Sequence, residues 1–298
     1  MKIVNVLWNK IFFAILIGIT FIPTSIMAHG VDLRGYSDDG RPDKAGILVV
    51  AVVPQDVPTA SKQELMEERI INNFPGIEVQ WSYFDIEGEQ AEDFIDKGER
   101  ISIKKRLDQM EEDGITHVAI LPLTVIPGKT YTRLIWMVET LKKMPTKFRK
   151  ISMARPFFGA PKDILKTCRT VLNILPNHEK PGEAVVLYFE EQSRMGDYIY
   201  PGIQYYFWQL DDSVFIGTAG TTPGIQDVFH SLKNSSSTDV YLVPFFPYQT
   251  PALITWKTAL ENNGYRVKQI KESLIGTKET LDVMISRLKV AIDELGLD

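Results

Sequence analysis

Thiols and imidazoles are scarce in this chain, which has one cysteine, Cys168, and four histidines among 298 residues. A lone thiol cannot close an internal disulfide, so core packing must hold the fold. The stretch DILKTCRTVLNIL (163–175) reads as an amphipathic helix with Cys168 on its apolar side, where it serves as buried filler. No two histidines stand at metal-ligand spacing. His117 opens an apolar run at the end away from a ligand cleft, which predicts a structural role, and His230 falls late in a helical pattern where it complements the dipole. Also missing are a G-x-S-x-G elbow, a Walker lysine loop and a G-x-G-x-x-G turn after a strand. Basic residues are outnumbered 33 to 38 by acidic ones, which argues against a nucleic-acid partner.

Long apolar runs are confined to the N-terminus. Lys2 and Lys10 precede the stretch Ile11–Ile22, and Pro23, Ser25 and Ala28 then supply a helix break and a small residue at a cleavage point. This is the layout of a secretory signal over residues 1–28. An uncleaved copy would tether the chain instead, since the stretch is only slightly short for a membrane span. Cleavage takes Lys2 and Lys10 with it and moves the net charge from −5 to −7. The expectation is an exported, periplasmic protein with no membrane contact once the signal is removed.

The remainder alternates apolar strands with amphipathic helices. Strands are predicted at 46–53, 77–84, 116–123, 150–156, 183–189, 213–219, 239–246 and 265–270, and helices at about 59–73, 100–113, 130–143, 161–175, 197–209, 225–233, 251–263 and 277–295. Such alternation argues an α/β fold with parallel sheets flanked by helices. The pattern also repeats: four strands fall on each side of the polar, proline-containing junction 175–182. The expected organisation is an N-terminal lobe over 44–176, a C-terminal lobe over 182–298, and a cleft between them that suits a sizeable ligand.

Candidate chemistry gathers at the predicted carboxyl ends of the strands, where open α/β sheets bind ligands. The run Ala184–Phe189 delivers Glu190 and Glu191 there. Neighbours on a strand point to opposite faces, so only one of the pair faces a given ligand unless the strand has already turned. A carboxylate so placed holds a hard divalent cation or accepts a proton; the bland alternative is a solvated loop charge. The turn GTAGTTPG (217–224) precedes a helix, and its backbone amides are candidates for holding an anion or carboxylate. Aromatics crowd the same rim: Phe157, Phe158, Phe245, Phe246 and Tyr248 follow other strands, and Tyr198 to Trp208 follow the glutamates. Flat apolar faces favour a large planar ligand.

Six ordered segments carry a family resemblance: NNFPGIEVQWSY (72–83), GITHVAILPLTVIPGKTY (114–131), ARPFFG (154–159), KPGEAVV (180–186), GTAGTTPGIQDV (217–228) and DVYLVP followed by WKTALENNGYRV (256–267). From about Lys44 onward the chain resembles the anaerobic, class II sirohydrochlorin cobalt chelatases. The resemblance implies two similar Rossmann-like halves of four parallel strands each, a tetrapyrrole in the cleft, and divalent cobalt, or iron, as the metal inserted rather than a resident cofactor. From the aromatic rim and the glycine-rich turn, the candidate substrate contacts are Phe157, Phe158, Gly217, Thr218, Gly220 and Phe246. Aligned on KPGEAVV, Glu190 takes the place of the family's metal-binding, proton-accepting histidine, with Glu191 beside it. Gly220 stands for a ligating glutamate, Thr124 for a further histidine, and PYQTPALITW (247–256) carries no histidine where a second ligand is expected. A tetrapyrrole is the implied partner, and a homo-oligomer is compatible with the sequence. Three functions follow: a chelatase working through Glu190, a non-catalytic periplasmic carrier of tetrapyrrole or metal, and a binder of an unrelated solute.

Overall fold

The computed structural model describes residues 31–32, 40–52, 60–84, 101–141, 148–189, 195–245, 250–270 and 273–297. Two sheets organise them. The first contains β1 (Val31–Asp32), β2 (Ala45–Val52), β3 (Glu78–Phe84), β4 (His117–Pro122) and β5 (Lys150–Met153) in the order β1-β5-β4-β2-β3. All of its pairings are parallel except that of the two-residue β1, which runs antiparallel along β5. The second contains β6 (Glu183–Phe189), β7 (Val214–Thr218), β8 (Asp239–Pro244) and β9 (Arg266–Gln269) in the order β7-β6-β8-β9, parallel throughout. Setting β1 aside, each sheet places its second strand outside its first and its third on the other side, so the sequence repeat is a repeat of topology.

Hydropathy explains which strands are central. Ile47–Val50, Val118–Leu121 and Ala184–Phe189 are buried without interruption, as strands covered on both faces must be. The edge strand β9 instead alternates exposed and half-buried positions. The other edge, β7, is protected by a side chain: the buried Gln204 amide donates to Val214 O at 2.8 Å and accepts from Ile216 N at 2.5 Å. Those ladder groups would otherwise offer themselves to another chain.

The helices are α1 (Ala60–Asn73), α2 (Ile103–Glu112), α3 (Lys129–Leu141), α4 (Ile164–Leu172), α5 (Gly196–Trp208), α6 (Ile225–Asn234), α7 (Pro251–Asn262) and α8 (Lys278–Asp293). Hydroxyls start three of them: Ser102, Thr250 and Thr277 each accept from the backbone N–H three residues on. The outer face of the first sheet is covered by α2 and α3, through Leu107, Met110, Leu134 and Val138. The outer face of the second is covered by α6 and α7, through Leu232, Leu253, Trp256 and Leu260. A third buried cluster is continuous between the lobes, from Ile47, Val49 and Leu121 to Val185, Leu187 and Phe189.

Residues 278–293 belong by sequence order to the second lobe, yet α8 packs against β4, β5, α1 and α4 of the first. Leu281, Met284, Leu288 and Ala291 supply its buried face. Ser152 Oγ of β5 donates to Ala291 O at 2.6 Å, and Arg69 pairs with Asp282. The reason is apolar area: β4 and β5 present a face that α8 can dry. A boundary at residue 182 therefore divides the sheets but not the packing.

Candidate functional site

Each sheet reverses strand order beside its first strand, between β2 and β4 and between β6 and β8. Crevices outside the carboxyl ends at such points are where open α/β sheets take ligands. The segments leaving β4, β5, β7 and β9 at this end are described in large part. Residues 53–59, 85–100, 190–194 and 246–249 lie outside the described residues, and they include Glu190, Glu191 and Phe246.

Two lobes are brought together here by aromatic rings. Phe157 N donates to Thr124 O at 3.0 Å and Phe158 N to Val125 O at 2.8 Å, which ties the segment after β5 to the end of β4. The Phe157 and Phe158 rings then meet Phe245, at the end of β8, with centroids 5.3 and 5.9 Å away. Phe245 stacks on Phe189, the last residue of β6, at 4.7 Å, and Phe189 lies 4.8 Å from Tyr200. Phe157 is 0 % exposed and Phe158 4 %. The expectation that these two line a ligand is corrected: their faces are spent on other rings, which form a dry floor beneath the strand ends.

The glycine-threonine turn is likewise internally committed. A Cβ on Gly217 would lie 2.5 Å from the Trp256 ring, so this glycine is required by a close approach inside the second lobe. Thr218 is 1 % exposed, and its hydroxyl donates to Thr221 O at 2.6 Å while accepting from Thr221 N at 3.2 Å. Thr218 N donates to Pro223 O, Ala219 N to Phe189 O, Thr222 N to Asp197 Oδ1 and Gly224 N to Asp227 Oδ2. Those donors are taken, so the anticipated amide cradle for an anion does not form from them. Gly220 is exposed at the tip. Asp197, in the first turn of α5, was missed in the sequence; an acid at a helix start is the signal that marks it.

Thr124 stands at the carboxyl end of β4 with its hydroxyl buried and, among the described residues, without a hydrogen-bond partner. An unpaired buried hydroxyl costs about 1–3 kcal/mol, which makes it a conspicuous polar atom beside the aromatic floor. The histidines lie elsewhere. His117, at the amino end of β4, is buried, with Nδ1 2.9 Å from Thr116 Oγ1, and burial is the main reason its pKa falls. His230, on α6, is 3.0 Å from Asn234 Nδ2. Among the described residues no three His, Cys, Asp or Glu side chains are grouped to hold a metal ion.

A hollow of about 690 Å³ opens at the opposite, amino-terminal edge of the second sheet, lined among others by Pro176, His178, Lys180, Asp211 and Ser235. His178 Nε2 meets Asp211 Oδ2 at 2.9 Å, and Ser213 Oγ donates to Asp211 Oδ1 at 2.6 Å. This hollow lies where the polar junction 175–182 enters β6, away from the switch points.

Set against known proteins, residues 46–293 match the family model described as cobalt chelatase (CbiK). The chain belongs to the cobalt chelatase family. Its relatives in this family include the sirohydrochlorin cobaltochelatase CbiKC of Nitratidesulfovibrio vulgaris, 25 % identical over 261 residues that span 85 % of this chain and 92 % of that protein. Chelatase folds are also found among solved structures. SirB from Bacillus subtilis, solved with Fe3+, superposes with a TM-score of 0.57 at 14 % identity, covering 85 % of this chain and 98 % of SirB. CbiX, described as the terminal enzyme of siroheme biosynthesis in denitrifying bacteria, superposes with a TM-score of 0.52 at 16 % identity, covering 83 % and 99 %. The cobalt chelatase fold thus accounts for the two parallel sheets and their repeated order.

Proposed function

We propose that this member of the cobalt chelatase family is exported, binds a tetrapyrrole of the sirohydrochlorin class across the carboxyl ends of its two sheets, and inserts divalent cobalt through Glu190. The family match over residues 46–293 carries this reading. It is supported by the aromatic cluster that clamps the ends of β6 and β8 together, because Glu190 follows Phe189 directly. Export is supported by the basic, apolar and small-residue segments of positions 1–28.

Insertion requires removal of the pyrrole N–H protons and delivery of the cation to the ring. A neutral imidazole suits both near pH 7, whereas a carboxylate with an ordinary pKa near 4 is a weaker base unless it is desolvated. Glu190 meets that condition if the bound macrocycle covers it and excludes water. Glu191 and water complete the coordination of the incoming metal.

Binding without insertion is the second reading. It is favoured by the chemistry at two positions: Gly220 offers no donor side chain and Thr124 only a hydroxyl, where the family resemblance implies a glutamate and a histidine. Soft or borderline metals bind these far less well than imidazole.

Absorption spectroscopy separates the readings. Purified protein is mixed with metal-free sirohydrochlorin, and spectra are taken before and after addition of Co2+. Insertion that is lost in Glu190→Gln, with the binding shift retained, is the expected outcome. Insertion that persists unchanged in Glu190→Gln removes Glu190 from the mechanism, and a binding shift with no insertion in the unaltered protein establishes the carrier.

A further inference from the structure

The junction between the lobes carries a histidine whose two ring nitrogens are both engaged. His178 Nδ1 lies 2.6 Å from Pro176 O, and Nε2 lies 2.9 Å from Asp211 Oδ2. A carbonyl oxygen can only accept. Burial raises the pKa of Asp211, but bonds from Ser213 Oγ, Ser213 N and His178 leave it below the ordinary aspartate value. Near neutral pH Asp211 is therefore a carboxylate, which also only accepts. Two acceptors call for two N–H donors. Neutral imidazole has one and imidazolium has two.

The charges around the ring favour the same form. The junction brings Glu179 and Lys180 to the hollow, the start of β6 brings Glu183, and the turn between α5 and β7 brings Asp211 and Asp212. The end of α4 and the residues after α6 add only Leu172, Leu175, Ser235 and Ser237, while Lys268 of β9 reaches Glu183 at 3.6 Å. Carboxylates thus outnumber ammonium groups there. The side chain of His178 is 12 % exposed and that of Asp211 30 %, so water screens the pair only in part. Both sides of the contact are anchored. Asp211 N donates to Phe207 O of α5 at 2.8 Å, and on the junction Glu179 N donates to Asn177 Oδ1 at 3.1 Å and Glu183 N to Lys180 O at 3.0 Å. The other two described histidines differ: His117 meets the Thr116 hydroxyl and His230 the Asn234 amide nitrogen, groups that can donate to a neutral ring.

We propose that His178 is a proton-operated clasp that ties the junction between the lobes to the turn between α5 and β7. As imidazolium it bridges the Pro176 carbonyl and the Asp211 carboxylate. When the ring gives up one proton, a bare nitrogen lone pair faces an oxygen, and that half of the bridge turns from attraction to repulsion. The sign follows from the proton count: a bridge that needs the second ring proton is present in acid and is lost as the pH rises. Free imidazole loses that proton near neutral pH, so the clasp responds in that range. Its release frees residues 177–183 at the point where the chain enters β6, and leaves the buried cluster shared by the two sheets untouched.

The test uses the purified full chain with nitrogen-labelled histidine. Nuclear magnetic resonance at about pH 7.5, where free imidazole is mostly neutral, is expected to show two protonated ring nitrogens on His178 and one on His117. Loss of a signal in His178→Gln assigns it. Hydrogen exchange supplies the mechanical readout. Between about pH 6 and about pH 8, corrected for the intrinsic rate, protection of the Glu179, Glu183 and Ser213 amides is expected to fall about tenfold in the parent. In His178→Gln it is expected to be low at both pH values. Asp211→Asn keeps an acceptor of the same shape without the charge, and is expected to lose the tenfold change as well. The clasp is overturned by a bare ring nitrogen on His178 at about pH 7.5, or by a pH dependence of protection that survives in either variant.

Discussion

Arg287 and Asp163 form a two-pronged ion pair, Nη1 to Oδ2 at 2.6 Å and Nη2 to Oδ1 at 3.2 Å, between the last helix and the segment that leaves the first sheet. The same guanidinium donates to Phe157 O and to Thr167 Oγ1, each at 3.2 Å. A single buried side chain therefore joins α8 to the backbone of the aromatic floor.

Removing it is expected to be costly. Arg287→Ala strands Asp163 and the Phe157 carbonyl, and the loss should be about 3 kcal/mol, the low end for breaking a buried pair because Asp163 keeps some contact with water. Arg287→Lys should recover only part of this, since an ammonium cannot reproduce the planar fork. Urea unfolding midpoints decide the matter; equal stability of the alanine variant would refute the strap.

At Gly217 the expected defect is in stability rather than in ligand affinity. Gly217→Ala drives a methyl group into the Trp256 ring and should destabilise by about 1–3 kcal/mol, as overpacking does. The double variant with Trp256→Leu should recover part of that loss. A Gly217→Ala protein that melts normally but binds tetrapyrrole poorly would return this position to the binding surface.

Cys168 is buried with its thiol pKa pushed up to about 12 by loss of solvation. The thiolate is the reactive form, so the folded protein should resist dithionitrobenzoate near neutral pH and release one equivalent of thiolate only on unfolding. Rapid labelling under native conditions would show that α4 opens readily.

Acid stability depends in part on Asp211. Burial raises its pKa, but bonds from Ser213 Oγ, Ser213 N and His178 outweigh burial and leave it below the ordinary aspartate value. In acid the folded state then holds fewer protons at this site than the unfolded chain. Its contribution is present above about pH 4, where a free aspartate is ionised, and is lost as the pH falls through the folded pKa. Asp211→Asn should be less stable than the parent at pH 6 and should close that gap on acidification. A gap that is constant with pH would contradict the assignment.

The alternation of Ala45–Val52, Ala60–Asn73 and Glu78–Phe84, and of the strand-helix units after them, was legible because burial on both faces demands unbroken apolar runs and burial on one face demands helical periodicity. Both are local demands. The ends of the strands were legible for the same reason, and with them the positions of Thr124, Gly217 and Thr218.

What those positions touch was not legible. Phe157 and Phe158 look like ligand-lining residues until Phe245 and Phe207 arrive from the other lobe to cover them. The amides of the glycine-threonine turn look available until Asp197, Phe189 and Pro223 take them.

The sequence by itself determined which segments become strands and helices, that they come as two equal sets, and that imidazole is scarce. Only the tertiary structure decided that the last helix would return to the first sheet and that the rim phenylalanines would face one another. Each of these depends on a surface contributed by residues tens or hundreds of positions away. A hydrophobic face states that it must be buried, and only the packed chain states against what.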